Sequence, residues 1–530
     1  MAITRTRQPE KKVFRNLPLA LVWVSASAAL LVSPCSNAAS WKIAPSLNLS
    51  ESYSDNVNLA SSGAKKDDFI TQVNPGISIV GTGSHLKADA SYTMQNLVYA
   101  EKSGQDTTRH QLNANANAEL VDNLLYLDGR ATISQQNTSI FGSQATNNTN
   151  VAGNRTEVKT YNVSPFLRNH FGNFAASEIR YTHSESNTGI GGLSDSQMDS
   201  IQLDIKNGSS FKTLGWGLNY NNEKATYTNL QDLDREAITG NLRYLITPRF
   251  GLAATGGYER NNYVSIGSKP EGSSWSAGVF WAPSSRTSLE ASTGQRFFGK
   301  TYALNVDHRA RSTAWNLGYS EDITTTQSQF QSSELFKIPA TEGNRDLLED
   351  ILTILYPGVD PALRRKKIDD AIERKNLALA FTDDLNYLTN RVFLQKRLQA
   401  SVAMTGARNT LVLSLFNSSR EAQTAQSVDS TFGGAMLSLS DKTKQIGGNA
   451  VWSWRINSRT GVNFSAGYSR NSSSSLDRTD SNKNFQVGMT RQFQPKLSGM
   501  ISLRRNQQST SGTGGGYQEN AATASLSYRF

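Results

Sequence analysis

Residues Leu112–Leu120 read LNANANAEL, in which small or apolar side chains alternate with polar ones. A period of two residues is typical of a β-strand whose two faces lie in different environments. The alternation recurs along the chain, for example in Leu214–Tyr220, Trp275–Trp281, Val462–Tyr468 and Phe485–Met489. Ala, Gly, Leu and aromatic side chains share one face, and Asn, Ser, Thr, Gln and Arg share the other. We therefore predict strands of a transmembrane β-barrel, apolar toward lipid and polar toward a wet lumen.

The composition of the 530 residues agrees with this interpretation. Charged residues make up only 18% of the chain, below the usual quarter for soluble domains, and hydrophobic residues make up 37%. Aromatic residues reach 9%, which argues against a disordered low-complexity chain.

The links between the alternating runs give an independent argument for a barrel. We count about 22 runs, within a range of about 20–24, each long enough to cross a bilayer as a tilted strand. Links after even-numbered runs are short, such as Asp122–Asn123 and Thr247–Arg249, whereas links after odd-numbered runs are mostly long, such as Gln136–Thr156 and Asn471–Asn482. Bacterial outer-membrane barrels have short periplasmic turns and long external loops. The predicted fold class is thus all-β, an antiparallel β-barrel of the bacterial outer membrane.

The first 39 residues are predicted to be a secretory signal peptide. A basic start is followed by an apolar run from Leu17 to Val32 and a small-residue site at Ser36–Ala39. A transmembrane anchor is disfavoured because the run is short and ends at Ser33-Pro34, and Pro34 before Cys35 departs from the lipoprotein pattern. Cys35 is the only cysteine, so we expect a mature chain without cysteine.

The last run predicts an assembly signal for the outer membrane. Leu526, Tyr528 and Phe530 share one face, and the chain ends on the aromatic residue itself. A terminal Phe with apolar residues at alternating positions resembles the signal that the barrel assembly machinery reads. The alternative is an ordinary last strand without a tail.

One segment, residues 331–388, has helical instead of alternating spacing. Asn344 is a predicted N-cap and Asp360-Pro361 starts a second helix that runs to Arg374-Lys375. The predicted apolar stripes of the two helices consist of Leu347, Leu348, Ile351, Leu352 and Leu355, and of Ile368, Ala371 and Ile372. The segment divides the barrel strands into 40–330 and 389–530, and we expect it to leave the external side between runs 15 and 16 as a plug or cap.

The second predicted helix also carries a basic face. If it lies in or over the lumen, these charges would meet the polar wall and favour anionic solutes or polymers. The basic residues, predicted to gate the lumen or to face anions, are Arg364, Arg365, Lys366, Lys367, Arg374 and Lys375. Lys396 in the following run falls on the lipid-facing side, which suggests a bulge or a register error there.

Two stretches carry a family resemblance. They are WKIAPSLNLSESYSDNVNL at Trp41–Leu59 and LTNRVFLQKRLQASVAMTGARNTL at Leu388–Leu411, the latter following DPALRR at Asp360–Arg365. The mature chain resembles the outer-membrane proteins associated with PEP-CTERM/exosortase systems in Gram-negative exopolysaccharide producers. The resemblance implies a location and a link to exopolysaccharide and protein sorting, but it brings no catalytic or ligand residue.

The charge and the chemistry-bearing residues exclude several classes of function. Loss of the signal peptide would lower the formal net charge from +10 to +6, and this small excess of positive charge does not indicate a nucleic-acid-binding surface. None of the five histidines has a second ligand at metal spacing, and His183-Ser184 resembles a hydrolase pair only superficially. Asp477 and Asp480 are too few for a calcium site. We expect no catalytic residue, no cofactor and no metal.

Three functions remain after these exclusions. The first is a porin-like or export-associated channel linked to exopolysaccharide, because a barrel of about 22 strands has a lumen too wide for its own side chains to fill. The second is a non-transporting scaffold or adhesin that holds a surface polymer, and the third is an outer-membrane hydrolase. The first strand is expected to start soon after cleavage, which argues against a plugged iron transporter. Expected partners are outer-membrane lipid, the assembly machinery, and exopolysaccharide or its export proteins.

Overall fold

The computed structural model describes residues 40–101, 106–189, 195–228, 231–267, 269–331, 336–340, 345, 348–349, 352, 361–373, 376–379, 389–425, 441–475, 477–512 and 515–530. The predicted signal peptide lies outside the described residues. No helix in these ranges is long and apolar enough to cross a membrane.

The main sheet is a closed antiparallel barrel of 22 strands, which confirms the predicted fold. The ring closes where Ser46–Ser54 of the first strand pair with Ala521–Arg529 of the last. The first fifteen barrel strands are β1 (Ser40–Ser54), β2 (Asp68–Thr82), β3 (Leu86–Tyr99), β4 (Thr107–Val121), β5 (Leu125–Asn137), β6 (Arg155–Phe171), β7 (Ala175–Asn187), β8 (Ser196–Asn207), β9 (Leu214–Tyr227), β10 (Leu233–Thr247), β11 (Phe250–Asn261), β12 (Glu271–Ser284), β13 (Thr287–Arg296), β14 (Gly299–Arg309) and β15 (Thr313–Thr324).

An insertion separates these strands from the last seven strands of the barrel. It contains helix α1 (Thr326–Gln331), strand β16 (Phe336–Pro339), helix α2 (Pro361–Glu373) and strand β17 (Asn376–Leu379). β16 and β17 pair with each other in a separate antiparallel sheet. The barrel then resumes with β18 (Phe393–Thr405), β19 (Asn409–Ala422), β20 (Lys442–Asn457), β21 (Thr460–Ser473), β22 (Arg478–Gln494), β23 (Leu497–Thr510) and β24 (Tyr517–Arg529).

The two faces of the strands differ as the period of two predicts. On β1 the outward side chains Trp41, Ile43, Leu49 and Tyr53 are exposed, while the inward face carries serine and asparagine. Exposed aromatic residues mark the turn end of the barrel, among them Trp41, Phe171, Tyr244, Trp281, Trp454, Phe493 and Tyr528. Aromatic belts of this kind flank the lipid-facing band of outer-membrane barrels. The fold is therefore of the outer-membrane type.

The links also follow the predicted asymmetry. Short turns such as 248–249 and 458–459 lie at one end, which we term the turn end, and longer links such as 55–67 and 138–154 lie at the other, the loop end. By the rule for outer-membrane barrels, the turn end faces the periplasm. The link 297–298 is an exception, since it is short although it lies at the loop end.

Two local expectations were wrong. The predicted loop Asn471–Asn482 shrinks to 474–477, because β21 and β22 stay paired beyond the lipid-facing band, up to Ser473 and Arg478. The pairing of β18 with β15 and β19 has no bulge at Lys396. Lys396 faces outward near the loop end and pairs with Glu321 at 3.6 Å, so the partner charge makes a register error unnecessary.

The opposite orientation of neighbouring β4 residues leads to a testable prediction. Ala116 is exposed and faces outward near the middle of β4, whereas Asn113 faces the lumen with Ser91 and Thr132 beside it in register. We expect Ala116→Arg to lower the free energy of unfolding in lipid by about 2–4 kcal/mol, because the charge would lie near the bilayer midplane. Urea unfolding in vesicles measures this difference. Asn113→Arg is the matched control and should be almost as stable as the parent. An equal loss of stability in both variants would contradict the assignment of Ala116 to the lipid face and Asn113 to the lumen face.

Candidate functional site

The insertion leaves and rejoins the barrel at one place on the wall. At its start, the Thr326 hydroxyl donates a hydrogen bond to the Thr389 carbonyl at 2.6 Å and accepts one from the Thr389 amide at 3.1 Å. Ser196 on β8 donates to the Gln327 side chain at 2.8 Å. β16 then contacts β14, β15 and β18. The two ends of the insertion are thus fastened together at the loop end.

Helix α2 lies against the far side of the lumen. The Lys366 ammonium is 3.3 Å from the Asp89 carboxylate of β3. Asp89 shares the inward face with Asn115 and Arg130, its partners in register across β4 and β5. In the closed ring, β3 lies nearly halfway round from β15 and β18, where the insertion is attached. Asp89 is also close to the start of β3, at the turn end. The insertion therefore crosses the lumen and reaches deep into it.

The charges around this contact are largely shielded from water. Asp89 is 4% exposed and also accepts a hydrogen bond from Asn115 at 3.2 Å. Burial by itself lowers the pKa of Lys366, but the carboxylates of Asp370 and Asp89 outweigh it and raise the pKa above its usual value. Burial lowers the pKa of the adjacent Lys367. Lys366 is therefore held in its charged form as the anchor of α2 on the wall.

Apolar side chains on the insertion are buried. Leu348 and Leu352 lie one helical turn apart and are buried, as are Leu363, Ile368 and Ala371 on α2. Arg345, in the same helical region as Leu348, forms an ion pair with Asp369 of α2 at 2.7 Å. Among the predicted stripe residues, Leu347, Ile351 and Leu355 lie outside the described residues.

The predicted basic face divides into groups with different surroundings. Lys366 and Lys367 lie at the wall, Arg364 is half-buried and Arg365 is exposed. Arg374 and Lys375 lie outside the described residues. Asp89 and Asp370 thus neutralise part of the positive charge of the basic face. The exposed side chain of Arg365 contacts solvent.

A second segment, the link 138–154 between β5 and β6, crosses the loop end of the lumen; we term it the mouth loop. On one side Val151 packs against Ile70, Leu97 and Tyr99, which face inward at the loop ends of β2 and β3, and against Val57 in the link after β1. On the other side Ile140 and Phe141 pack against Phe393, at the start of β18. Apolar side chains that face inward are compatible with water only when they are covered. The mouth loop covers them and narrows the opening.

Two fully buried carboxylates fasten the mouth loop to the wall. Glu519 on β24 accepts hydrogen bonds from Asn150 of the loop at 2.6 Å and from Arg504 at 2.9 Å. Asp480 on β22 accepts from the Gly142 amide at 3.2 Å and forms a bidentate pair with Arg478. Gly142 has φ +96°, a conformation that other residues rarely adopt, so its identity suits this turn. We term the two carboxylates the mouth latch.

The stretch Leu388–Leu411, singled out in the sequence, joins the insertion to the mouth loop. The Arg391 side chain is buried, pairs with Asp441 at 2.6 Å and donates to the Thr424 carbonyl at 2.6 Å. Phe393 follows two residues later and contacts the mouth loop. The sequence of this stretch predicts no role for Arg391, because its partner Asp441 is fifty residues away and leaves no local pattern.

The residues of the predicted assembly signal lie on the outer face. Leu526, Tyr528 and Phe530 are all exposed, and the rings of Tyr528 and Phe530 are 5.0 Å apart in an edge-on arrangement. Leu526 and Tyr528 lie opposite Leu49 and Leu47 where the barrel closes. The signal residues therefore lie on the closing seam.

The residues considered for chemistry are arranged differently from a catalytic site. His183 faces outward and contacts Asp199 at 2.8 Å, whereas Ser184 is buried on the inward face. Asp480, one of the two acids considered for a calcium site, forms an ion pair with Arg478. Among the described residues, no group of three or more His, Cys, Asp or Glu side chains is placed to hold a metal ion.

Comparison with known proteins gives likenesses of structure only. No protein-family model and no curated protein matches the sequence. The FrpB iron transporter from Neisseria meningitidis (F5-1 variant) has a TM-score of 0.48 at 10% identity, covering 92% of this chain and 82% of that one. The siderophore receptor PirA from Pseudomonas aeruginosa has a TM-score of 0.43 at 9% identity, covering 92% and 80%. A loop-deletion mutant of OmpT from Vibrio cholerae has 0.32 at 8%, covering 93% and 100%.

Proposed function

We propose that the protein is a gated channel of the outer membrane, closed at rest by the insertion and the mouth loop. The observation that carries the proposal is the ion pair between Lys366 and Asp89, which holds a segment from one side of the ring against the opposite wall. A barrel of 22 strands encloses a lumen wider than its own side chains fill, and the lumen of outer-membrane barrels of this size is plugged. Opening would require α2 to leave the wall.

We further propose that the channel serves exopolysaccharide or an export system that accompanies it. The resemblance of Trp41–Leu59 and Leu388–Leu411 to proteins of exosortase systems supports this link. In this proposal the protein acts without catalysis, since His183 and Ser184 face opposite sides of their strand.

A second candidate is a surface scaffold that conducts nothing. The buried mouth latch favours it, because Glu519 and Asp480 hold the mouth loop with several charge-assisted hydrogen bonds. Such bonds contribute more than neutral ones and resist opening. Electrical recordings separate the two candidates.

The gating proposal is tested by removing the charge at the wall. Asp89→Asn should weaken the contact of α2 by about 1.5–3 kcal/mol, because Lys366 loses a partner with formal charge. We expect the open fraction in planar-bilayer recordings to rise roughly tenfold or more. Asp204→Asn is the matched control, since Asp204 faces the lumen from β8 and, in the described part of the chain, accepts hydrogen bonds from the neutral side chains of Gln202 and Asn219.

Two outcomes of that experiment would decide against the gate. The first is an unchanged open fraction in Asp89→Asn, and the second is an equal rise in Asp204→Asn. Exchange of the charges, Asp89→Lys with Lys366→Asp, should restore the closed state if the ion pair itself is the contact.

The assembly signal leads to a separate expectation. We propose that Leu526, Tyr528 and Phe530 are read by the barrel assembly machinery from the outer face of β24. Phe530→Ser should lower the amount of folded protein in the outer membrane several-fold, as measured by heat-modifiable mobility in gels. Arg529→Ser, on the other face of the strand, is the control; normal folding of Phe530→Ser would refute the signal.

A further inference from the structure

The inner wall of β10–β15 and β18 lines a half-open cavity of about 590 Å³. One side of the cavity lies near the turn end, since Arg243 and Phe280 are close to the last residues of β10 and β12. Its other side extends toward the loop end, where Ser320 and Arg397 lie on β15 and β18. The mouth loop and its latch lie at the opposite end. The part of the cavity around Arg243 and Phe280 is therefore nearer to the periplasm than to the cell exterior.

Arg243 is the most unusual residue of this cavity. Its guanidinium carbon lies 3.8 Å from the centroid of the Phe280 ring. Among the described residues, its Nε is buried without a hydrogen-bond partner. Stacking on an aromatic ring fixes the plane of a guanidinium and leaves its N–H groups for a ligand. An oriented guanidinium is suited to bind a carboxylate with two parallel hydrogen bonds.

The rest of the lining is rich in amide and hydroxyl groups. The charged lining residues are Arg243, Arg397 and Glu290, so positive charge prevails. The uncharged polar ones include Asn241, Thr255, Ser276, Ser292, Asn305, Asn316, Ser320 and Gln399. The Gln399 Oε1 is buried without a hydrogen-bond partner among the described residues. Buried amide oxygens and arginine N–H groups without partners are costly unless a ligand or water satisfies them.

From these features we infer that the cavity is a binding site for an acidic saccharide, a hydroxyl-rich chain that carries carboxylates. Arg243 binds the carboxylate, Phe280 positions Arg243, and Gln399 and Asn305 accept or donate to sugar hydroxyls. The volume lies within the range of pockets for ligands of the size of one or a few sugar rings. Because Arg243 and Phe280 are near the turn end, the carboxylate of the saccharide reaches Arg243 from the periplasm. The inference rests on the proposed function, in which the lumen is a route to the outside.

Calorimetric titration of the full-length protein with tri-galacturonate tests the site. Arg243→Gln should weaken binding about tenfold or more, since one charge-assisted contact is lost. Arg286→Gln removes the same charge from an exposed turn at the same end of the barrel and should bind as the parent does. Carboxyl-reduced tri-galacturonate should bind weakly to all three proteins. Absence of binding by the parent, equal affinity of Arg243→Gln, or equal affinity for the reduced sugar would overturn the inference.

A second measurement separates this inference from the proposed channel. In a variant that lacks residues 337–387, tri-galacturonate added on the periplasmic side should reduce the current, and Arg243→Gln should abolish the reduction. Current without any block would overturn the saccharide site and leave the channel in place. Absence of current both in this variant and in the same variant with Glu519→Gln would overturn the channel, and the titration would then decide on the site alone.

Discussion

Deletion of residues 337–387 behind a short Gly/Ser linker is expected to raise the single-channel conductance roughly tenfold or more, because a ring of 22 strands would lose the segment that crosses it. The barrel should remain folded, since every barrel strand lies outside the deleted range. The hydrogen bonds between Thr326 and Thr389 also lie outside it and keep the two cut ends together. Sensitivity of cells to bulky antibiotics should rise with the conductance.

The mouth loop limits how far the conductance of the deletion variant can rise. Its contacts with Val57, Leu97 and Tyr99 persist in the deletion variant, so part of the opening stays covered. Glu519→Gln in the deletion variant should weaken the mouth latch and raise the conductance further. Glu519→Gln alone is the control and should change little while α2 remains on the wall. A deletion variant that folds normally and stays silent, with and without Glu519→Gln, would favour the scaffold.

The barrel could be predicted from the sequence because the period of two is a local property. The alternation in Leu112–Leu120 reports two environments directly, and β4 has the predicted orientation. The ends of strands were harder to predict. Above the lipid band both faces of a hairpin contact water or protein, so the pairing of Asn471 with Asp480 continues without an alternating pattern.

The arrangement inside the lumen depends on contacts that no local pattern reveals. The helical stripe predicted burial of Leu348 and Ile368, and both are buried. The pairing of Lys366 with Asp89 joins residues far apart in the chain and follows only from the closed ring. β16 and β17 were missed because segments of four residues are too short for a period to show. Leu97 and Tyr99 offered a usable signal, since apolar residues at inward positions near the loop end predict a covered mouth.

A reversible cross-link between α2 and β3 tests whether α2 must leave the wall for the channel to open. The variant carries Asp89→Cys and Lys366→Cys; Cys35, the single native cysteine, lies in the predicted signal peptide, so the expected mature variant has no other thiol. Loss of the ion pair should leave this variant with a raised open fraction. A bifunctional thiosulfonate reagent that spans a few ångströms can bridge the two thiols, because the native side chains meet at 3.3 Å.

Single-channel current of this variant, before and after cross-linking and again after reduction, is the decisive measurement. We expect cross-linking to abolish the openings and a thiol reductant to restore them, while the reagent leaves the Asp89→Cys single variant unchanged. Openings that continue at the same frequency and amplitude in fully cross-linked protein would refute the gating proposal, because α2 would then be fixed to the wall while the channel conducts.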